Sequence, residues 1–202
     1  MVGECKGVDS HFRRAARIAK LRSNTVVRWS IVTVSLRDAQ HYPAGRSWIE
    51  GVFHDYLEAL SVVSLNTGMF PVQGEFGDRE PDMLARWFSD DSSYPLLILK
   101  NEQPTGFAVV SRPLPSHRAH LDFRMAEFFV AANQRRLGIG RDAVQLIVKR
   151  FAGRWEITEI QSNASAVAFW RAVVRECSNG RYRERIENGE IKQYFDSTGL
   201  QK

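Results

Sequence analysis

Apolar positions recur along this chain with two periods. Ile49, Val52, Phe53, Tyr56, Leu57, Leu60 and Val63 follow a 3.6-residue spacing and predict an amphipathic helix. Ser47, with Glu50 three positions later, has the form of a capping box at its start. Ala143, Val144, Leu146, Ile147 and Phe151 repeat the helical spacing, and so do Ala166, Phe169, Trp170 and Val173 within 165–174. Pro81 suits the first turn of a short helix running to Phe88. Elsewhere the period is two, or the apolar run is continuous and short. Residues 26–36, 94–99, 106–111, 124–130, 155–160, 181–186 and 191–195 therefore read as strands. Turns are marked at Asn101-Glu102-Gln103-Pro104 and at Asn188-Gly189, and residues 69–80 and 113–120 read as loops. The order is strand, helices, three strands, helix. It departs from the regular strand–helix alternation of a doubly wound sheet.

One junction carries more than folding information. The strand ending at Glu127-Phe128-Phe129-Val130 runs through a polar turn into Arg135-Arg136-Leu137-Gly138-Ile139-Gly140-Arg141, where a helix begins. The first amides of a helix lack intrahelical partners and sit at the positive end of its dipole, so such a junction suits an anionic phosphate. Glycine allows close backbone approach, and Arg135 and Arg136 add full charges. The Gly-Lys-Ser/Thr ending of a Walker loop is absent, and two glycines fall short of the three-glycine dinucleotide fingerprint. An ordinary strand-to-helix turn with solvated basic residues would also satisfy the pattern.

The six positions Arg135 to Gly140 match Arg/Gln-x-x-Gly-x-Gly/Ala and resemble the acetyl-CoA pyrophosphate loop of the GCN5-related N-acetyltransferases (GNAT). A second motif of that family, Asn-x-x-Ala-x-x-Phe/Leu-Tyr, is matched in the right order by Asn163, Ala166 and Phe169, with Trp170 at the usual tyrosine position. The resemblance covers roughly residues 25–197 and extends to a bacterial subgroup of predicted acetyltransferases. It implies an α/β (α+β) fold: a central, mixed, mostly antiparallel, twisted sheet of six to seven strands flanked by about four helices.

The resemblance also implies acetyl transfer from acetyl-CoA to a primary amine of a small molecule or peptide, by direct attack in a ternary complex and without a metal. The strand Phe128, Phe129, Val130 would splay from its neighbour and offer free amides to the pantetheine and the thioester carbonyl, with Val130 near the developing charge. Leu137, Gly138, Ile139, Gly140 and Arg141 would hold the pyrophosphate, supported by Arg135 and Arg136. Asn163 would contact the pantetheine arm, Phe169 would pack beside the cofactor, and Arg171 would lie near its phosphates or in solvent. Glu127 is the first candidate for the base that takes the amine proton. Glu75, Asp78 and Asp82 fall on the expected acceptor side. Trp170 cannot protonate the leaving thiolate, because its indole N–H is not a usable acid. Tyr56, Tyr94 or water would have to do so. A CoA-binding sensor of the same fold without turnover is the alternative that Trp170 favours.

Composition narrows the classes further. The chain has 202 residues, enough for one domain with a substantial core. Its net charge of +5 is concentrated in residues 1–24, where six cations face two carboxylates, so nucleic-acid binding by the remaining domain gains little support. That segment reads as a basic extension, weakly ordered or docked, with a short helix over 10–21 as one form; residues 25–202 read as the acetyltransferase domain. No run of eighteen apolar residues suggests a membrane span. Two cysteines, Cys5 and Cys177, suit a reducing cytoplasm. His117 and His120 have no supporting ligand pattern, and no metal is expected. A homodimer is compatible with the family resemblance.

Overall fold

The computed structural model describes residues 15–20, 29–64 and 79–200. Eight strands form a single sheet: β1 (Ala15–Lys20), β2 (Trp29–Asp38), β3 (Ser93–Lys100), β4 (Gln103–Ser111), β5 (Phe123–Val130), β6 (Arg154–Ile160), β7 (Tyr182–Glu187) and β8 (Glu190–Asp196). Their order is β1-β2-β3-β4-β5-β6-β8-β7, and β5–β6 is the parallel pair in an otherwise antiparallel ladder. Among the described residues four helices accompany it: α1 (Pro43–Ser64), α2 (Arg79–Ser89), α3 (Ile139–Arg150) and α4 (Ala164–Cys177). The mixed, mostly antiparallel sheet with four helices is the architecture expected from the sequence.

Seven strands coincide with the seven apolar segments. The eighth, β1, comes from the segment read as an appendage: Ala15–Lys20 pairs antiparallel with β2 from Val34 to Trp29 instead of forming a helix over 10–21. The expected strand start at 26–28, and the acceptor-side candidates Glu75 and Asp78, lie outside the described residues. Helix α1 begins at Pro43, four residues before Ser47, so Ser47 and Glu50 are interior positions and not a capping box. Proline stands first because its missing N–H is an orphan there in any case.

Two cores lie on opposite faces of the sheet. Helices α3 and α4 cover Leu96, Ile98, Ala108, Val110, Trp155 and Ile157. Helices α1 and α2 cover Leu97, Leu99, Phe107, Val109 and Phe129. Alternation in the buried strands β3 and β4 sends successive side chains to opposite cores. The two-residue hairpin turns at Asn101-Glu102 and Asn188-Gly189 have positive φ at both positions, the left-handed pair that matches strand twist.

Candidate active site

The site begins with two irregularities in β5. Val110 pairs with Met125, but Val109 pairs with Glu127, so Ala126 is an extra residue in the ladder. A bulge of this kind re-aims the side chains beyond it. Met125 and Phe128 thereby face the α3/α4 core, while Phe129 faces the α1/α2 core. Glu127 joins the α1/α2 side. The second irregularity is a divergence: β6 pairs with β5 only from Phe123–Trp155 to Met125–Ile157. Residues 127–130 therefore have a partner in β4 and none in β6.

The free side of β5 carries polar backbone. The Ala131 N–H donates to the Thr105 carbonyl oxygen at 2.9 Å. By antiparallel alternation, the Val130 and Phe128 amides then point away from β4, into the gap left by β6. The Val130 carbonyl points the same way and accepts from Arg135 Nε at 2.8 Å. Gly106 makes this close pairing possible, because a methyl there would overlap the Phe129 carbonyl oxygen.

At the end of β5 the chain makes a 3-10 turn (Ala132–Gln134), passes Arg136 at φ +63° and reaches Gly138 at φ +82°, the N-cap of α3. No side chain among the described residues caps this helix. The Asp142 N–H is taken by the Gly138 carbonyl, and the amides of Ile139, Gly140 and Arg141 precede the first intrahelical bond. Arg136 and Leu137 are exposed and Ile139 is buried, so the loop is anchored by one residue and open at its tip. Gly140 lies against an aromatic group: an added Cβ would come within 3.3 Å of Phe169 and 3.5 Å of Phe128. Phe128 and Phe169 stack at 5.8 Å, and Trp170 packs edge-on to both. Strand, loop and α4 thus meet at one point, and an anionic ligand with an extended arm could reach both the helix N-terminus and the gap.

Glu127 stands at the mouth of that gap. The buried hydroxyl of Tyr56 on α1 donates to its Oε2. Tyr56 is fixed by rings on several sides: Phe107 at 5.3 Å, Phe129 at 5.8 Å, Phe53 at 6.0 Å and Trp87 at 6.5 Å. Loss of hydration in this apolar setting pushes the Glu127 carboxyl up to about 7, against the opposing pull of the Tyr56 hydrogen bond. Burial, with the neighbouring carboxylate, holds the Tyr56 phenol well above its usual range. Of the pair, the carboxyl is the group that exchanges a proton near neutrality.

Other expected residues have different duties. Asn163 caps α4, its Oδ1 accepting from the Ala166 N–H at 3.2 Å and the Ser165 hydroxyl at 3.0 Å. Arg141 reaches α4, Nε to Glu176 at 2.6 Å, so at the loop it offers its backbone. Arg171 lies neither at the loop nor free in solvent: it grips Glu184 of β7 at 2.6 and 3.0 Å. Trp170 is buried. Tyr94 packs on Phe151, beyond the C-terminus of α3, and its hydroxyl accepts from Arg112. The twelve residues of α3 make ~18 Å of helix, which separates Tyr94 from the loop. No group of metal-ligating side chains occurs among the described residues.

The sequence reading missed a second buried carboxyl. Glu159 on β6 faces the α3/α4 side, in phase with Trp155 and Ile157, and both its oxygens lack a partner among the described residues. Burial first, then Glu184, pushes it up to about 8, opposed by Arg171. Its signal was present: an acid at the buried phase of an alternating strand.

Comparison with known proteins bears on the family and the fold. The model of the acetyltransferase (GNAT) family matches residues 59–173. Among curated proteins no match by sequence is found. Solved structures share the fold. An acetyltransferase from Thermus thermophilus superposes with a TM-score of 0.53 at 16% identity, over 80% of this chain and 94% of that one. Spermidine N-acetyltransferase from Vibrio cholerae, solved with CoA and spermine, gives 0.56 at 10% identity over 83% and 98%. PaiA N-acetyltransferase from Thermoplasma acidophilum, solved with coenzyme A, gives 0.52 at 8% identity over 81% and 98%.

Proposed function

The chain belongs to the GNAT acetyltransferase family, and on that premise we propose that it moves an acetyl group from acetyl-CoA to a primary amine of a small molecule or peptide, by direct attack in a ternary complex. The observation that carries this reading is the Tyr56–Glu127 pair at the opening between β5 and β6. A carboxyl that titrates near 7 is suited to take a proton from an ammonium group under ordinary conditions. The two relatives solved with CoA share the fold that frames this opening.

In this mechanism the uncapped amides of 138–141 hold the pyrophosphate, with Arg136 free to add charge and the remaining guanidinium nitrogens of Arg135 beside it. The pantetheine runs along the amides of Phe128 and Val130, past Phe169 and Asn163. Glu127 accepts the proton of the acceptor ammonium, directly or through one water. The amine nitrogen then forms a bond to the thioester carbonyl carbon, whose oxygen draws charge toward the Val130 amide. The carbon–sulfur bond breaks as the nitrogen sheds its second proton to become an amide, and CoA leaves as a thiolate that takes up that proton through water, since Trp170 has no acidic hydroxyl and Tyr56 is committed to Glu127. No metal enters the scheme. The setting is a reducing cytoplasm, in keeping with the buried Cys177, whose thiol burial pushes up to about 12. No helix among the described residues is long and apolar enough to cross a membrane.

The test is calorimetric titration with acetyl-CoA, CoA and dephospho-CoA, followed by an amine screen read by thiol release. Micromolar binding of the first two and turnover with at least one amine are expected. Absence of binding to all three sinks the reading. Binding without turnover on any amine favours a CoA-dependent sensor, the reading that Trp170 at the tyrosine position supports.

A further inference from the structure

The sheet face that carries Glu127 continues past α1 and α2. Their apolar packing reaches Phe129 of β5 and goes no further among the described residues. Beyond it, over β6, β8 and β7, the face is polar and its charges fall in rungs. Arg183, Tyr194, Glu156 and Arg124 stand opposite one another across four strands. Toward the start of β6 the next rung holds Asp196 and Arg154, with Arg181 at the entrance to β7. Toward its end come Arg185, Lys192 and Thr158, and then Glu187 with Glu190. The lower rungs border a cavity of about 740 Å³ that His117 and His120 also line.

Neutralisation along this face is uneven. Arg124 is tied to Glu156 at 2.7 Å, Arg154 to Asp122 at 2.9 Å, and Lys192 to Glu187 and Glu190 at 3.3 and 3.7 Å. Arg181 and Arg183 are exposed and have no carboxylate at ion-pair distance among the described residues. The face is therefore uneven: Arg181 and Arg183 lie uncompensated at one end of the strands, while at the other Glu187 and Glu190 are balanced by Lys192 and Arg185 and Glu127 is the acid bonded to no cation among the described residues. A ligand that matches it is a cation at the Glu127 end and an anion at the arginine end. From Arg124 to Glu127 the chain advances ~7 Å, one residue being absorbed by the bulge, and three strand spacings carry the face ~14 Å from β5 to β7. Glu127 and Arg183 are thus at least ~16 Å apart at the backbone, since β5 diverges from β6 beyond Met125. The carboxylate of a free amino acid is two bonds from its amine and cannot bridge that span. An extended peptide can, because a lysine side chain followed by acids two or more positions away covers it at ~3.3 Å per residue.

We infer that this face binds an acidic peptide segment that presents the acceptor amine, with a lysine directed to Glu127 and aspartate or glutamate side chains on Arg181 and Arg183. The inference rests on the acetyl-transfer reading for the fate of the amine, and on the charge pattern alone for binding. Fluorescence anisotropy of labelled peptides on the cofactor-free chain tests it. An acidic lysine peptide is expected to bind at least tenfold tighter than its glutamine/asparagine counterpart, with an affinity that falls as salt rises, and a basic counterpart and spermidine are expected not to compete. Arg181→Glu with Arg183→Glu should lose at least tenfold. Arg183→Gln alone should lose less in the same direction, and Arg175→Glu on α4 should lose nothing. Equal binding of acidic and neutral peptides, competition by spermidine, or undiminished binding by the arginine variants overturns the inference. Acetyl-CoA titration of the same variants separates the two readings: unchanged cofactor affinity with lost peptide preference supports the docking face, whereas absent cofactor affinity in the parent protein removes acetyl transfer and leaves the peptide result standing.

Discussion

Tyr56 donates its hydroxyl hydrogen to Glu127 across 71 positions of sequence, joining the middle of α1 to the bulged part of β5. The bond favours the ionised carboxylate, while the surrounding rings disfavour it, and the balance falls at about 7. If Glu127 takes the amine proton, kcat should rise with pH through about 7 as the carboxylate forms. Glu127→Gln should remove that limb and lower kcat by ~10²–10⁴-fold, with acetyl-CoA affinity little changed. Tyr56→Phe deletes the bond that lowers the carboxyl, so the limb should move to higher pH. Initial-rate profiles of the three proteins decide it. A parent-like rate and profile in Glu127→Gln would take Glu127 out of the mechanism.

Gly138 is the hinge between loop and helix. At φ +82° it occupies a conformation that costs an L-residue ~1–2 kcal/mol, and its amide lies among those assigned to the pyrophosphate. Gly138→Val should abolish acetyl-CoA binding in a calorimetric titration while thermal unfolding shows a shift of only a few degrees. Undiminished affinity would mean that the loop is an ordinary turn.

Gly106 has a different constraint. A methyl there would overlap the Phe129 carbonyl oxygen and sit 3.2 Å from Val130 Cα, both backbone atoms that cannot rotate aside. Gly106→Ala should cost ~1–3 kcal/mol as overpacking does. It should also displace the strand whose amides face the gap, so kcat should fall more than acetyl-CoA affinity. Chemical denaturation and steady-state kinetics measure the two effects separately.

What could be read from the sequence follows from range. Hydrophobic period gave seven strands and three helices, with Pro81 marking the fourth, because each side chain's phase is set by its neighbours. The glycine loop was readable because Gly138 and its flanks act locally. Asn163 stands out in sequence for the same reason, and in the structure its side chain caps α4. Non-local pairings were not visible. Nothing near Arg171 announces Glu184, and nothing near Tyr56 announces Glu127. The start of α1 was misplaced because the Ser47–Glu50 pattern also fits a helix interior. β1 was missed because its basic residues lie in a charged segment with little apolar alternation. The charged rungs of β5 to β7 depend on register, which spacing alone does not fix.

Glu159 provides a stability test independent of the reaction. Its carboxyl is buried without a hydrogen-bond partner among the described residues, with Glu184 on β7 and Arg171 on α4 as the charges that act on it. Both Glu159 and Glu127 have folded-state values raised above the ordinary glutamate value, to about 8 and about 7. Between the ordinary value and those raised values the folded chain holds protons that the unfolded chain has released. The unfolded state then binds fewer protons, so stability falls as pH rises through this window. The two groups together therefore make the protein less stable at pH 8 than at pH 5. Glu159→Gln keeps the shape and removes the charge. It should raise stability at pH 8, change it little at pH 5, and leave a shallower slope that Glu127 alone supplies. Urea unfolding of both proteins across pH 5 to 8 measures this. A slope unchanged by the substitution would mean that Glu159 is ionised in the folded protein and that the orphaned oxygens have acquired a cationic or hydrated partner.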